Sequence, residues 1–280
     1  MIIEIDDYSL WAGGKKVLDR INLSVKEGEF LAITGPTESG KTELCYSIIG
    51  IYPSMLPCRQ KGRIRVCGMD PMKATPAELA THVAYVFQNP LAQLTGYGTS
   101  VEEEVAFGLE NRGVEREEME ERVELILKTF GLWEVRKNSP FELSGGQQQK
   151  VALASVFVLE PKVLILDEPT GHLDPYGTRM VLETIDKLRE KHNITTIFVS
   201  HKFKEIVKRA DRVVILHEGK IIREGKARNV LSDAEFLKKH GMIPLPITEL
   251  SEKLKRKKKW KGGNAVGVEE FAAHWRRQGR

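Results

Sequence analysis

One octapeptide limits the fold more than anything else in this chain. Gly35-Pro36-Thr37-Glu38-Ser39-Gly40-Lys41-Thr42 fits the spacing GxxxxGK[ST]. Such a loop needs a buried strand to hold it and a helix whose N-terminus faces the ligand. Phe30-Leu31-Ala32-Ile33 supplies an apolar strand, and Glu43 to Ile49 a helix. Backbone N–H groups of the loop then wrap a polyphosphate, with the positive end of the helix dipole behind them. Lys41 would reach the β and γ phosphates, and the Thr42 hydroxyl would ligate a magnesium ion. The alternative, a chance glycine-rich turn, is opposed by the strand and helix on either side.

The rest of the chain reads as α/β. Val83-Ala84-Tyr85-Val86-Phe87, Val163-Leu164-Ile165-Leu166, Ile197-Phe198-Val199 and Val213-Val214-Ile215-Leu216 are continuous apolar runs. Runs of that kind belong to strands covered on both faces, and helical segments between them predict a mostly parallel central sheet. Earlier, Ile21, Leu23 and Val25 alternate as in a half-buried strand, and Ile2, Ile3 and Ile5 start another. Residues 100–135 break the pattern: Val123, Ile126, Leu127 and Phe130 recur at helical spacing, predicting an inserted helical subdomain. After Gly225 the strands stop. A short helical extension is expected from Leu237, with Lys253 to Lys261 mobile, Gly262-Gly263-Asn264 as a hinge, and a last helix from Val268 to Arg276.

Composition removes several classes. The largely apolar stretch Val151 to Leu159 is the longest, far short of the ~20 residues that span a bilayer. The N-terminus lacks a basic, apolar leader, so neither export nor membrane insertion is expected. Three cysteines (Cys45, Cys58, Cys67) without CxxC spacing argue against a disulfide framework or zinc site and for the cytosol. The net charge is +4, but Glu252 to Arg280 hold ten basic and three acidic residues. The body is mildly acidic, so no nucleic-acid partner is expected from charge.

Two further strands end in chemistry. Val163 to Leu166 deliver Asp167 and Glu168 to the C-terminal edge of a parallel sheet, where ligands bind. Asp167 would hold magnesium, and Glu168 would act as base or positioner for an attacking water. Ile197-Phe198-Val199-Ser200 deliver His201, an imidazole for charge developing on a γ-phosphate. Taken alone, such a histidine is more often structural. Leu143-Ser144-Gly145-Gly146-Gln147 precedes a helical stretch and would offer a second set of N–H groups to an anion.

Together these motifs, in this order, resemble the ATP-binding-cassette ATPases over roughly residues 2–235. The resemblance implies a P-loop NTPase core with a parallel central sheet, an N-terminal antiparallel β-subdomain and a helical subdomain inserted at about 90–160. It implies a cassette domain over 1–235 and a C-terminal helical extension with a basic tail over 236–280. It implies ATP and Mg²⁺ as ligands, with Lys41, Glu168, His201 and Gln88 catalytic and Thr42, Gln88 and Asp167 at the metal. Ser144, Gly145, Gly146 and Gln147 are then the signature that meets the ATP of a second subunit, and Asp174 lies at that dimer interface. Trp11 sits where the family places an aromatic that stacks on adenine, with Tyr8 as the fallback. A core or surface tryptophan is the competing reading. One chain has one P-loop and one signature, so the site needs a homodimer or a heterodimer with a related ATPase.

The chain departs from the family pattern at three places: Glu38 in the phosphate loop, Gly171-His172 before Leu173-Asp174, and Lys150 where arginine is usual. Glu38 is expected to face solvent, because the loop binds through its backbone. No departure removes a catalytic group, so an active ATPase is expected. The stretches Val86 to Leu94 and Ser100 to Asn111 are similar to the ATPases of energy-coupling-factor importers of vitamins and transition metals. That resemblance implies a transmembrane coupling protein, a substrate-binding membrane subunit, and a place on the cytoplasmic face of the membrane. Glu102, Glu103 and Glu104 either face that partner or form a solvated helix face. The basic tail is a solvated arm, a contact to anionic lipid, or a nucleic-acid contact. A soluble cassette ATPase acting on nucleic acid or ribosomes is the alternative function, though the coiled-coil insertion or second cassette usual there is missing.

Overall fold

In the computed structural model, which describes residues 1–277, nine strands form two sheets. β1 (Ile3–Ala12), β2 (Lys15–Val25) and β4 (Arg59–Val66) are antiparallel, in the order β2-β1-β4. The second sheet contains β3 (Phe30–Thr34), β5 (Val83–Val86), β6 (Val163–Asp167), β7 (Thr195–Val199), β8 (Arg212–His217) and β9 (Lys220–Lys226). Its order is β5-β6-β7-β3-β8-β9, parallel throughout except where β9 turns back along β8.

The apolar runs are buried on both faces because each face meets a different core. Leu31 and Ile33 of β3 join Ile165, Ile197 and Val214 in a core capped by the antiparallel sheet and by Leu44, Cys45 and Ile48. Phe30 and Ala32 join Leu164, Leu166, Phe198 and Ile215 in a core on the helical side. Each large aliphatic or aromatic side chain among them removed from water contributes ~1.5–3 kcal/mol. β4 escapes the sequence reading because five of its eight residues are charged or amide and only Ile64 and Val66 are buried.

Twelve α-helices surround the sheets among the described residues. α1 (Lys41–Ile48), α2 (Ile51–Ser54) and α3 (Pro76–Ala80) precede the inserted helical layer. That layer contains α4 (Val101–Asn111), α5 (Arg116–Phe130) and α6 (Gly145–Phe157), which pack on one another around Val105, Leu109, Leu127 and Leu153. Arg112 ties it to α3 and to the segment after α6 by donating to the carbonyls of Ala80 and Leu159, both at 2.7 Å. α7 (Pro175–His192) and α8 (Phe203–Arg209) cover the sheet. α9 (Ala227–Leu231), α10 (Ala234–Lys239), α11 (Pro246–Arg256) and α12 (Val268–Arg277) follow the last strand.

The acidic row of α4 is not one surface. Successive helical residues point ~100° apart, so the three carboxylates part company. Glu102 pairs with Lys137. Glu103 closes a capping box with Ser100. Glu104 is buried and accepts from Thr95 N at 2.7 Å, Thr95 Oγ1 at 3.0 Å and Gly96 N at 3.1 Å.

The expected mobile arm is also corrected. Lys253, Lys255 and Arg256 lie in α11. Trp260 is buried, stacks on Phe271 at 4.6 Å, and donates from Nε1 to Gly263 O at 2.8 Å. The Gly262-Gly263-Asn264 segment is a packed turn rather than a hinge: a Cβ on Gly262 would stand 2.8 Å from His274 Nε2, and Asn264 Nδ2 donates to Ser232 O. The aromatic stacking outweighs the charge run because the lysines keep their ammonium groups in water while the indole is sheltered. Trp260→Ala therefore removes the anchor of α12. Hydrogen exchange should rise across residues 246–277 by about tenfold or more, with residues 160–217 unchanged. Unchanged protection of α12 would show that the indole holds nothing.

Candidate active site

The parallel sheet brings the chemistry to one edge. Gln88 follows β5, Asp167 ends β6, Glu168 follows it, His201 lies beyond β7, and the phosphate loop follows β3. Asp167 is level with Val199, which is level with Ile33, so the carboxylate and the start of the loop share one height. A cavity of about 740 Å³ opens there, lined by Gly35, Pro36, Thr37, Glu38, Lys41, Thr42, Gln88, Asp167, Glu168 and His201.

The loop conformation requires glycine at its start. Gly35 has φ 150°, and a Cβ there would lie 2.0 Å from Leu216 O. Glu38, at φ 61°, is exposed, as expected for a carboxylate beside a polyphosphate site. Ser39 is buried and Gly40 caps α1, whose first intrahelical bond is Leu44 N to Gly40 O. The N–H groups of Lys41, Thr42 and Glu43 thus stand outside the helical ladder. The Lys41 ammonium is held by the loop itself, donating to Pro36 O at 2.7 Å, Gly35 O at 3.1 Å and Ser39 Oγ at 3.2 Å. Burial lowers its pKa, and the nearby Glu168 and Asp167 carboxylates oppose that shift.

The carboxylates are arranged differently from each other. Asp167 Oδ2 accepts from the Tyr85 hydroxyl at 2.7 Å and from Thr42 Oγ1 at 3.2 Å. Burial pushes the Tyr85 phenol far up, with Cys45 and Asp167 adding to it. Glu168 takes a left-handed backbone at φ 47° while its N–H still donates to Val199 O. Its Oε1 accepts from His201 N at 3.0 Å and lies 2.8 Å from His201 Nδ1. A carboxylate there requires Nδ1 to carry the proton. Glu168 Oε2 is buried with no partner. Thr42 and Asp167 are hard oxygen donors of the kind magnesium takes, so the residues present fit a magnesium–nucleotide.

Other expected residues lie elsewhere. Ser144, Gly145, Gly146 and Gln147 open α6, where Ser144 and Gln147 close a capping box: Ser144 Oγ accepts from Gln147 N, and Gln147 Oε1 accepts from Ser144 N. A Cβ on Gly146 would meet Leu173, so the signature sits beside the segment leading to Asp174. Asp174 caps α7. None of these five lines the cavity. Trp11 lies near the end of β1 and is not one of the residues lining the cavity; Lys16 Nζ is 5.1 Å and the Arg59 guanidinium 5.2 Å from its ring centre. The fallback Tyr8 is a fully buried core residue whose hydroxyl donates to Gln60 Oε1 at 2.8 Å, so it offers no face to a base.

Sequence reasoning passed over Tyr85, whose signal was a lone hydroxyl in a strand buried on both faces. It also passed over Gly241, Met242 and Ile243, which form part of the cavity wall and carry no chemical pattern.

Comparison with known proteins shows the family. The ABC transporter family profile matches residues 18–171. A putative ABC transporter ATP-binding protein of Pyrococcus abyssi is 43% identical, over 88% of each chain. An energy-coupling factor transporter ATP-binding protein of Caldanaerobacter subterraneus is 40% identical, over 86% of this chain and 84% of that one. The structure of cbiO1 from Clostridium perfringens, part of the ABC transporter complex cbiONQ, superposes with a TM-score of 0.74 at 31% identity, covering 90% of this chain and 98% of that one.

Gly35 tests the loop geometry. Gly35→Ala drives a methyl group into a carbonyl at a backbone angle that L residues rarely adopt. Urea unfolding should show a loss of more than ~2 kcal/mol, and ATP binding should fall below detection. A variant with parental stability would mean that the loop is free to move away from Leu216.

Proposed function

The chain belongs to the ABC transporter ATPases, and from that premise we propose that it is the motor subunit of an energy-coupling-factor type importer for a vitamin or a transition-metal ion. As a family member it binds and hydrolyses ATP. The importer reading rests on the named relatives; the observation that supports an ATPase completed by a second subunit is the half-built site. The cavity has the phosphate loop, the metal-binding oxygens, the glutamate and the histidine, while Ser144 to Gln147 and Asp174 lie outside its wall.

The residues divide the reaction among them. Gly35 to Thr42 wrap the phosphates, and Lys41 exchanges two carbonyl partners for β- and γ-oxygens. Thr42, Asp167 and Gln88 would hold magnesium, which when bound would neutralise phosphate charge. Glu168 is the base: the His201 backbone N–H pins Oε1, and the carboxylate accepts the proton of an attacking water. On nucleotide binding the His201 ring turns its Nδ1–H from Glu168 to charge on the γ-phosphate, while its backbone N–H keeps hold of Oε1. Ser144, Gly145, Gly146 and Gln147 of a second, identical or related subunit close the site from the opposite side, with Asp174 at the contact. Trp11 stacks on adenine.

The membrane partners follow from the same reading. Among the described residues no helix is long and apolar enough to cross a membrane. A transmembrane coupling protein and a substrate-binding subunit would supply that span, with the cassette, residues 1–235, docked on the cytoplasmic face and residues 236–280 as its extension. The relatives named for energy-coupling factor transporters and for the cbiONQ complex support this reading.

Glu168→Gln should retain ATP binding and lower kcat by about 10²–10⁴-fold, with an ATP-dependent dimer accumulating in light scattering. Hydrolysis at the parental rate would remove Glu168 from the mechanism. Affinity capture from detergent-solubilised membranes should bring down a multi-span protein and a small membrane subunit. Ribosomal or DNA-binding proteins with nothing from the membrane would overturn the importer reading.

A further inference from the structure

We infer that Tyr85 is a positioning residue for magnesium, its hydroxyl holding Asp167 in place so that the carboxylate is ready for the metal. The inference rests on the reading that Asp167 and Thr42 bind Mg²⁺.

Three observations carry it. The Tyr85 hydroxyl donates to Asp167 Oδ2 at 2.7 Å, the shorter of the two bonds to that oxygen. The ring itself is immobilised, packed edge-on against Phe87 at 4.8 Å and Tyr46 at 5.6 Å and buried in the core above α1. The third is a difference in duty between the two donors. Thr42 is itself a magnesium ligand in this reading, so its oxygen has another partner in the loaded state. Tyr85 lines no part of the cavity, so its hydroxyl has only the carboxylate to serve. Asp167 therefore keeps one fixed hydrogen bond whether Thr42 faces the carboxylate or the metal. Partners that orient a metal ligand from behind act in this way, and their loss weakens metal affinity by about 10–100-fold.

Tyr85→Phe tests this because it keeps the packed ring and deletes only the hydroxyl. A fluorescent ATP analogue is titrated against the full chain in EDTA and at rising Mg²⁺, and Mn²⁺ binding is counted by electron paramagnetic resonance in the presence of ATP. The variant should bind nucleotide in EDTA as the parent does, yet need about tenfold more Mg²⁺ or Mn²⁺ to reach half-effect. Tyr46→Phe, which removes a neighbouring hydroxyl that does not touch Asp167, should leave the metal midpoint where it was. A Tyr85→Phe midpoint equal to the parent's overturns the inference, as does an equal loss of affinity with and without metal. If the parent itself shows no metal dependence, the reading of Asp167 and Thr42 falls along with it.

Discussion

A parallel sheet covered on both faces leaves charged groups one place to go. Every residue from Val163 to Leu166 and from Ile197 to Val199 is committed to one of two cores. The first groups free of that demand stand at the strand ends. There the chain turns, and Gly35, Glu168 and the residues after Val199 can adopt conformations that a strand interior forbids. The candidate site depends on this: strands too apolar to hold a charge deliver charges together, at one height, along one edge.

Much of this was legible because the demands are local. The phosphate loop needs glycine where the backbone passes Leu216, and the flanking strand and helix are visible as apolar runs. The alternation of β3 residues between two cores needs no tertiary knowledge either, since a run with no polar member has no wet face. What escaped was set by pairing at a distance. β4 is charged enough to read as loop, and only its neighbour β1 makes it a strand. Trp260 looked like an island in a basic run, because Phe271 and His274, which shelter it, come later in the chain. Glu102, Glu103 and Glu104 look alike in sequence but differ in what stands opposite each of them.

The site residues differ in how completed they are. Lys41 and Ser144 are both satisfied within the single chain, one by loop carbonyls and the other by Gln147. Both are thus held in shape before any ligand arrives, and binding exchanges partners rather than ordering loose chain. Glu168 is the exception. One of its oxygens is fastened to His201, and no group of the described residues bonds the other.

The position of β3 has a consequence for the order of events during synthesis. It is one of the two central strands, and its neighbours are β7 and β8: Phe30 pairs with Thr196, and Leu31 with Arg212. On the ribosome the phosphate loop therefore emerges early but has no sheet to stand on until most of the chain has followed it. Gly35 cannot settle against Leu216 before Leu216 exists. A nascent chain carries the octapeptide without the cradle, so nucleotide can lend its binding energy only to a cassette whose translation is nearly complete.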